Sequence, residues 1–196
     1  MSDPASKASK FWLIALGAAL VAAIAGATLA IWIGLYNVAA DIPHTEPVYW
    51  LLETARQRSV AVRATAIEVP GNLDDADRIT SGAGQYADMC AGCHLAPGMK
   101  RTEMSRGLYP RAPELRRGSD LTPAEEFWVV KHGIKATGMP AWGVTHSDEF
   151  LWNVVAFLRK LPELSPEAYQ AIVESAPSHN EMMQEMKAHD GHTGRP

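Results

Sequence analysis

Residues 90–94 read Cys90-Ala91-Gly92-Cys93-His94 and contain both cysteines of the 196-residue chain. Two thiols are too few for a disulfide-dense scaffold, and too few for a zinc or iron–sulfur site built from four thiolates. Two residues between the thiols, with a histidine directly after the second thiol, is the spacing of a c-type haem attachment segment. In such a segment the thiols add across the haem vinyl groups and the histidine binds the iron. We therefore predict one covalently bound haem c, held by Cys90, Cys93 and His94.

Three other kinds of site use two cysteines at this spacing. A thioredoxin-like redox pair follows a strand in a βαβ unit, whereas a helical pattern precedes Cys90. A zinc site needs two further ligands at short spacing. A structural disulfide between Cys90 and Cys93 fits the spacing but gives His94 no role. The sequence favours haem attachment and leaves these alternatives open.

The residues on both sides of the motif carry a family pattern. Before it, Gly82 and Tyr86 stand at four-residue spacing, and after it residues 148–158 form an apolar helical segment that contains Phe157. This arrangement resembles the class I c-type cytochrome domain, over about residues 74–162. The resemblance implies an all-α domain around one haem, in which Phe157 crosses the first helix at Gly82. It also implies electron transfer.

The second axial ligand has to come from eight methionines and seven histidines. Met139 lies in Gly138-Met139-Pro140, forty-five residues after His94. The resemblance implies a methionine at comparable separation, on a loop before the final helix. A thioether is a soft, neutral ligand that favours Fe(II) and raises the potential. We predict Met139 as this ligand, with His132 as its rival.

The segment between the two predicted ligands contains three further signals. Residues 122–125, Thr-Pro-Ala-Glu, predict a capping box that begins a helix ending near Gly133. The resemblance implies that Pro110 or Pro113 accepts a hydrogen bond from the proximal imidazole. Residues 100–117 hold six basic residues against two acidic ones. These bases either pair with haem propionates and steer an acidic redox partner, or belong to a solvated loop.

The apolar residues of the chain are concentrated near its start. Hydrophobic residues make up 47% of the chain, yet its mean hydropathy is only -0.11. The apolar residues are concentrated in residues 11–40, which contain no charged side chain, whereas the rest of the chain has an ordinary globular composition. A span of roughly 20 apolar residues crosses a bilayer core of about 30 Å. Trp12 and Trp32 stand twenty positions apart, as interfacial aromatics do. We predict a single transmembrane anchor at residues 11–36, after a cytoplasmic segment at residues 1–10.

Charges around the apolar segment predict its orientation. Lys7 and Lys10 precede the span, whereas Asp41 and Glu46 follow it. The positive-inside rule then places the N-terminus in the cytoplasm and the haem domain in the periplasm, with the anchor in a bacterial inner membrane. A cleaved signal peptide is the alternative, because residues 38–40, Val-Ala-Ala, form an acceptable cleavage site. The apolar stretch is about twice as long as the apolar region of a usual signal peptide.

Residues 37–73 are predicted to form an extracytoplasmic helix and a linker. Thr45 and Pro47 suit a helix start. The apolar stripe that we assign to one helix face consists of Val48, Leu51, Leu52, Ala55, Ser59 and Val62. The sequence does not decide whether this helix is a spacer or a docking surface.

The C-terminal tail, residues 163–196, differs in charge and composition from the rest. It carries six acidic residues against two basic ones, whereas residues 1–162 carry sixteen of each. This balance and the net charge of -4 give no argument for nucleic-acid binding. Six soft or borderline metal ligands lie within fourteen positions of the tail: His179, Met182, Met183, Met186, His189 and His192. Thioether and imidazole ligands suit copper, so a copper site stands here beside the alternative of a soluble, disordered end.

The sequence as a whole predicts a membrane-anchored monohaem c-type cytochrome that is not an enzyme. Its partners would be a donor and an acceptor protein of a respiratory or dehydrogenase complex. Two alternatives stay open. One is a haem-based sensor or peroxidase-like enzyme, in which the Met139 ligand is labile, and the other is a copper-handling protein that acts through the tail.

Overall fold

A computed structural model describes the backbone of residues 4–178, 181 and 184, and the side chains of these from residue 10 onward. Every regular element of this described part is helical, which confirms the all-α prediction. In chain order the α-helices are α1 (Pro4–Trp32), α2 (Glu46–Ala64), α3 (Ala76–Met89), α4 (Ala91–His94), α5 (Glu103–Gly107), α6 (Pro123–His132), α7 (Asp148–Lys160) and α8 (Pro166–Ser175). Single 3-10 turns occur at Leu115–Arg117, Trp142–Val144 and Leu161–Glu163.

Helix α1 belongs to a unit of its own, Met1–Ile42. Its segment Lys10–Trp32 has the length and apolar composition of a membrane span, with 23 residues and none of the span's window buried within the protein. At about 1.5 Å per residue this segment is about 35 Å long, enough to cross a bilayer core. The helix ends at Trp32, short of the predicted end of the anchor at residue 36, and Gly34 just beyond it has a left-handed φ of +68°.

The second unit, Pro43–Pro196, is built on the crossing of α3 and α7. A methyl group added at Gly82 would lie 2.0 Å from the carbonyl oxygen of Asn153 and 2.8 Å from Cβ of Phe157, so only glycine permits this approach. Phe157 is fully buried there, and its ring lies 5.4 Å from that of Tyr86. The predicted crossing is therefore present between the expected residues.

Helix α8 packs against α3 and extends the core beyond the haem-domain boundary that the sequence suggested at residue 162. Tyr169 of α8 is buried, with its ring 6.3 Å from that of Phe157. Leu161, in the turn between α7 and α8, is completely buried. The α3–α7 cluster, as we name this core, consists of Ala83, Tyr86, Cys90, Ala91, Ala96, Val154, Phe157, Leu158, Leu161 and Tyr169. The first part of the predicted tail thus belongs to the packed unit.

A second core lies between α6 and α7. Thr122 and Glu125 form the predicted capping box at the start of α6, and Gly133 ends the helix. The rings of Phe127 and Trp152 stack with their centroids 4.1 Å apart. The α6–α7 cluster consists of Phe127, Val130, Phe150, Leu151, Trp152 and Val155. Because α7 contributes to both clusters, it is the central helix of the unit.

Helix α2 packs against α6 through its C-terminal half, where Val60 and Ala64 are buried. The apolar stripe predicted from the sequence is mostly on the exposed side, since Leu51 and Val62 are each about 60% exposed. Thr45 takes the N-cap position without a side-chain hydrogen bond. Helical periodicity identifies apolar faces but does not tell which of two adjacent faces finds a partner.

Candidate haem-binding site

The Cys-x-x-Cys-His motif continues from α3 into the short helix α4. The backbone N–H of Cys90 donates to Tyr86 O at 2.9 Å, so the motif begins as an extension of α3. Leu95, directly after the motif, has a left-handed φ of +62° and is buried. The hydroxyl of Tyr86 donates to Leu95 O, which fixes this strained turn from the core side. The predicted aromatic of α3 therefore supports the backbone that carries the motif.

The state of the two thiols argues against the other uses of this spacing. Both cysteines are free, with Cys90 buried and Cys93 partly exposed. Burial, and secondarily the neighbouring Cys93, raises the pKa of the Cys90 thiol to about 12. Redox-active pairs work through a thiol of lowered pKa, so this environment does not suit a thioredoxin-like site. Within the described residues no group of three His, Cys, Asp or Glu side chains is placed to hold a metal ion.

His94 is oriented by a backbone carbonyl. Its Nδ1 lies 2.9 Å from Pro113 O, and this hydrogen bond requires the proton on Nδ1. Burial lowers the pKa of His94, while the Pro113 bond acts in the opposite direction. A neutral imidazole with Nδ1–H held by a carbonyl leaves Nε2 with its lone pair available to a metal. Of the two prolines that the family resemblance suggested, Pro113 is the acceptor.

Met139 lies on a loop that starts at the C-terminal end of α6. Ile134 N donates to Met139 O at 3.2 Å, and Met139 N donates to the hydroxyl of Thr137 at 3.1 Å. Gly133 has a φ of +63°, and a methyl group there would lie 2.6 Å from Met139 O. The side chain of Met139 is partly buried against the α6–α7 cluster. The sequence pointed to Gly138 and Pro140 as the residues that shape this loop, whereas Gly133 and Thr137 also hold its backbone.

The segment from Leu108 to Pro113 contacts both the Cys-x-x-Cys-His motif and the Met139 loop. Pro113 binds His94, and a methyl group at Gly138 would lie 2.4 Å from Cδ2 of Leu108. Sequence reasoning missed Leu108, because an isolated leucine in a polar loop carries no periodic signal. The segment from Leu108 to Pro113 thus connects the surroundings of the two predicted ligands.

The rival ligand His132 ends α6 and is exposed, with its ring 5.0 Å from that of Trp128. It lies with Lys131 in the last turn of the helix, a common place for cationic or polar side chains. The six tail residues considered for copper, from His179 to His192, all lie outside the described residues. A copper site there stays a prediction.

Some basic side chains of the loop at residues 100–117 are paired within the fold. Arg116 donates to Met99 O at 2.9 Å and pairs with Glu114 at 2.9 Å, and Arg117 pairs with Glu114 at 3.0 Å. The hydrogen bond from Arg116 lowers the pKa of Glu114. Lys100, Arg106, Arg111 and Arg117 are exposed, and of these Arg117 is the one paired with Glu114. Lys100, Arg106 and Arg111 are therefore available to contact another protein.

The residues of this site fit haem c. Two free thiols suit covalent attachment, and an oriented imidazole together with a thioether on a fixed loop suits iron ligation. A comparison with protein families matches residues 77–158 to the family described as cytochrome C oxidase, cbb3-type, subunit III. A comparison with curated proteins found no match. The matched segment contains the α3–α7 crossing, the attachment motif and the Met139 loop. Residues 77–158 are a class I c-type cytochrome domain, a haem-based electron carrier.

Proposed function

We propose that the protein is a membrane-anchored monohaem c-type cytochrome that passes single electrons between two protein partners in the periplasm. The observation that carries this proposal is the hydrogen bond from His94 Nδ1 to Pro113 O, which prepares the imidazole for iron directly after two free thiols. The family match supports the electron-transfer role.

Each site residue then has a distinct task. Cys90 and Cys93 would tether the porphyrin, and His94 and Met139 would bind the iron. Haem c, when bound, supplies one reversible electron through its Fe(III)/Fe(II) couple. Because the chain would provide both iron ligands, we propose a carrier and not an enzyme. This assignment opposes the sensor and peroxidase-like alternatives.

We also propose where the electrons go. The printed family description names a subunit of a cbb3-type oxidase, which supports a partner within a membrane respiratory complex. An anchor at Lys10–Trp32 would keep the haem domain at high effective concentration beside such a partner. The exposed Lys100, Arg106 and Arg111 would favour an acidic docking surface on it.

The absorption spectrum of the purified full-length protein tests the axial pair. We expect a low-spin oxidised form that shows the methionine–iron charge-transfer band. Met139→Ala should abolish this band and lower the potential, because the soft ligand that favours Fe(II) is lost. His132→Ala is the matched control and should keep the band. A high-spin wild type that readily binds carbon monoxide would overturn the carrier mechanism.

Extraction of native membranes tests the anchor. We expect the full-length protein to stay in the membrane pellet at alkaline pH and to retain its N-terminal segment by mass spectrometry. Release into the supernatant, with the chain starting just after Ala40, would instead establish a cleaved signal peptide.

A further inference from the structure

The N-terminal half of α2 exposes a continuous apolar run. The exposed fractions are 44% for Tyr49, 66% for Trp50, 59% for Leu51 and 50% for Leu52. The buried residues of α2, Val60 and Ala64, lie farther along the helix, and each of these four side chains is left at least 44% exposed. Large apolar side chains that cluster at the surface mark an interaction site.

The chain limits how far this run can lie from the proposed anchor. Residues 33–45, thirteen residues, separate the end of the apolar helix at Trp32 from the start of α2 at Glu46. Even fully extended, thirteen residues reach at most about 45 Å. Tyrosine and tryptophan also prefer the headgroup region, where an amphipathic ring has both an apolar and a wet side.

Basic side chains lie beside the apolar run. Residues 56–64 hold three arginines and no acidic residue. At about 100° per residue, Arg58 lies on the same side of α2 as Leu51 and Val62, and all three are exposed, whereas Arg56 and Arg63 line a groove toward α6. Helix α2 has two acidic side chains, Glu46 in its first turn and Glu53, which pairs with Arg56. A surface of this kind complements anionic phospholipid headgroups.

We propose that α2 docks on the lipid surface, with Trp50, Leu51 and Val62 in the headgroup layer and Arg58 against anionic headgroups. This inference rests on the proposed membrane anchor. Docking adds a second point of attachment to the anchor, so the haem domain takes one orientation relative to the bilayer. A lipid surface fits better than a protein partner, because the exposed apolar side chains and Arg58 lie on one side of the helix that follows the proposed anchor.

Electron paramagnetic resonance of oriented membranes tests the proposal. Full-length, haem-loaded protein is reconstituted into bilayers of phosphatidylcholine and phosphatidylglycerol, with no partner protein, and the layers are rotated in the field. We expect the low-spin haem signal of the wild type to vary strongly with angle. Trp50→Glu combined with Leu51→Glu should abolish this variation, because charged side chains leave the headgroup layer. Val69→Glu, at an exposed apolar residue of the linker, is the control and should keep it.

The outcomes are distinguishable. An unchanged thermal unfolding midpoint for the double variant excludes misfolding, since both side chains are exposed. A wild type without angular dependence in these bilayers would overturn the proposal, and orientation that appears only in native membranes would assign the surface to a protein partner instead. Failure of the anchor itself would appear separately, as protein released from the same vesicles at alkaline pH.

Discussion

The two sides of the haem site are held by different physical means. His94 and its two cysteines follow α3, whose crossing with α7 is closed by a fully buried Phe157. Met139 is only partly buried and depends on backbone hydrogen bonds and on the left-handed Gly133. Side-chain packing therefore stabilises the predicted proximal side, whereas backbone geometry fixes the Met139 loop, the predicted distal side. Substitutions at the α3–α7 crossing should destabilise the fold, whereas substitutions in the Met139 loop should remove the predicted iron ligand.

The largest effect is expected at the helix crossing. Gly82→Ala places a methyl group 2.0 Å from the Asn153 carbonyl oxygen, so α3 and α7 must separate. Overpacking of a rigid contact costs about 3 kcal/mol or more. We expect the yield of haem-loaded protein to fall severely and the thermal midpoint of the remainder to drop by on the order of 10 °C.

Gly71→Ala is the control for this substitution, because nothing lies within 4 Å of a methyl group at that position. It should leave both yield and midpoint unchanged. A Gly82→Ala protein as stable as the wild type would show that packing at the crossing does not support the proximal side.

A smaller effect on stability, but a specific effect on the ligand, is expected at Gly133. An alanine there combines a left-handed φ with a methyl group 2.6 Å from Met139 O, so the loop must shift. We expect loss of most of the methionine–iron band while covalent haem is retained, with about 2 kcal/mol less stability.

Gly118→Ala separates the two causes at Gly133. Gly118 also has a left-handed φ, +95°, but a methyl group would meet only Pro162 Cγ at 3.8 Å. Gly118→Ala should lower the free energy of unfolding by about 1 kcal/mol and keep the methionine–iron band. Equal loss of the band in both variants would assign the effect to backbone strain alone.

Tyr86→Phe probes the proximal side more gently. The substitution keeps the buried ring but removes the hydrogen bond to Leu95 O, leaving a buried carbonyl without its donor. We expect a loss of about 1.5 kcal/mol in urea unfolding, with the haem spectrum unchanged. Tyr49→Phe, at an exposed tyrosine, should have no effect.

The smallest effect is expected at Glu126, a buried carboxylate on the distal side. Burial raises the pKa of Glu126, while Arg159 at 3.6 Å opposes this rise. An acid with a raised folded-state pKa binds its proton more tightly in the folded than in the unfolded chain, so stability falls as pH rises through the folded value. Glu126→Gln should therefore raise the thermal midpoint at pH 8, on the order of 2 °C, and not at pH 4.

Arg159→Gln should act in the opposite direction. It removes the charge that lowers the pKa of Glu126, so the protein should lose stability at pH 8 and become more pH-dependent. A loss of stability in Glu126→Gln at pH 8 would mean that the ion pair outweighs the cost of burying the carboxylate.

Sequence reasoning succeeded for features that require a particular residue type at a particular position. The capping box at Thr122 follows from short-range chemistry, whereas Gly82 at a helix crossing and a proline carbonyl for His94 were implied by the family resemblance; the structure has all three. The assignment of Met139 as a ligand stays a prediction, although its loop is well fixed.

Long-range packing was harder to predict. The burial of Tyr169 against α3 was missed, because its helix, α8, comes after a proline that reads as the end of the domain. The stripe on α2 was identified, but the buried residues proved to be Val60 and Ala64. In both cases the partner lies far along the chain, and periodicity carries no information about it.

The crossing of α3 and α7 also bears on when the predicted haem attachment takes place. Arg78 of α3 bonds Asn153 of α7 across 75 positions of sequence, so this contact forms only after α7 has been made. In the folded protein Cys90 is only 7% exposed and belongs to the α3–α7 cluster. We therefore expect attachment at Cys90 to precede the docking of α7 on α3, because the packed cluster leaves this thiol little exposed.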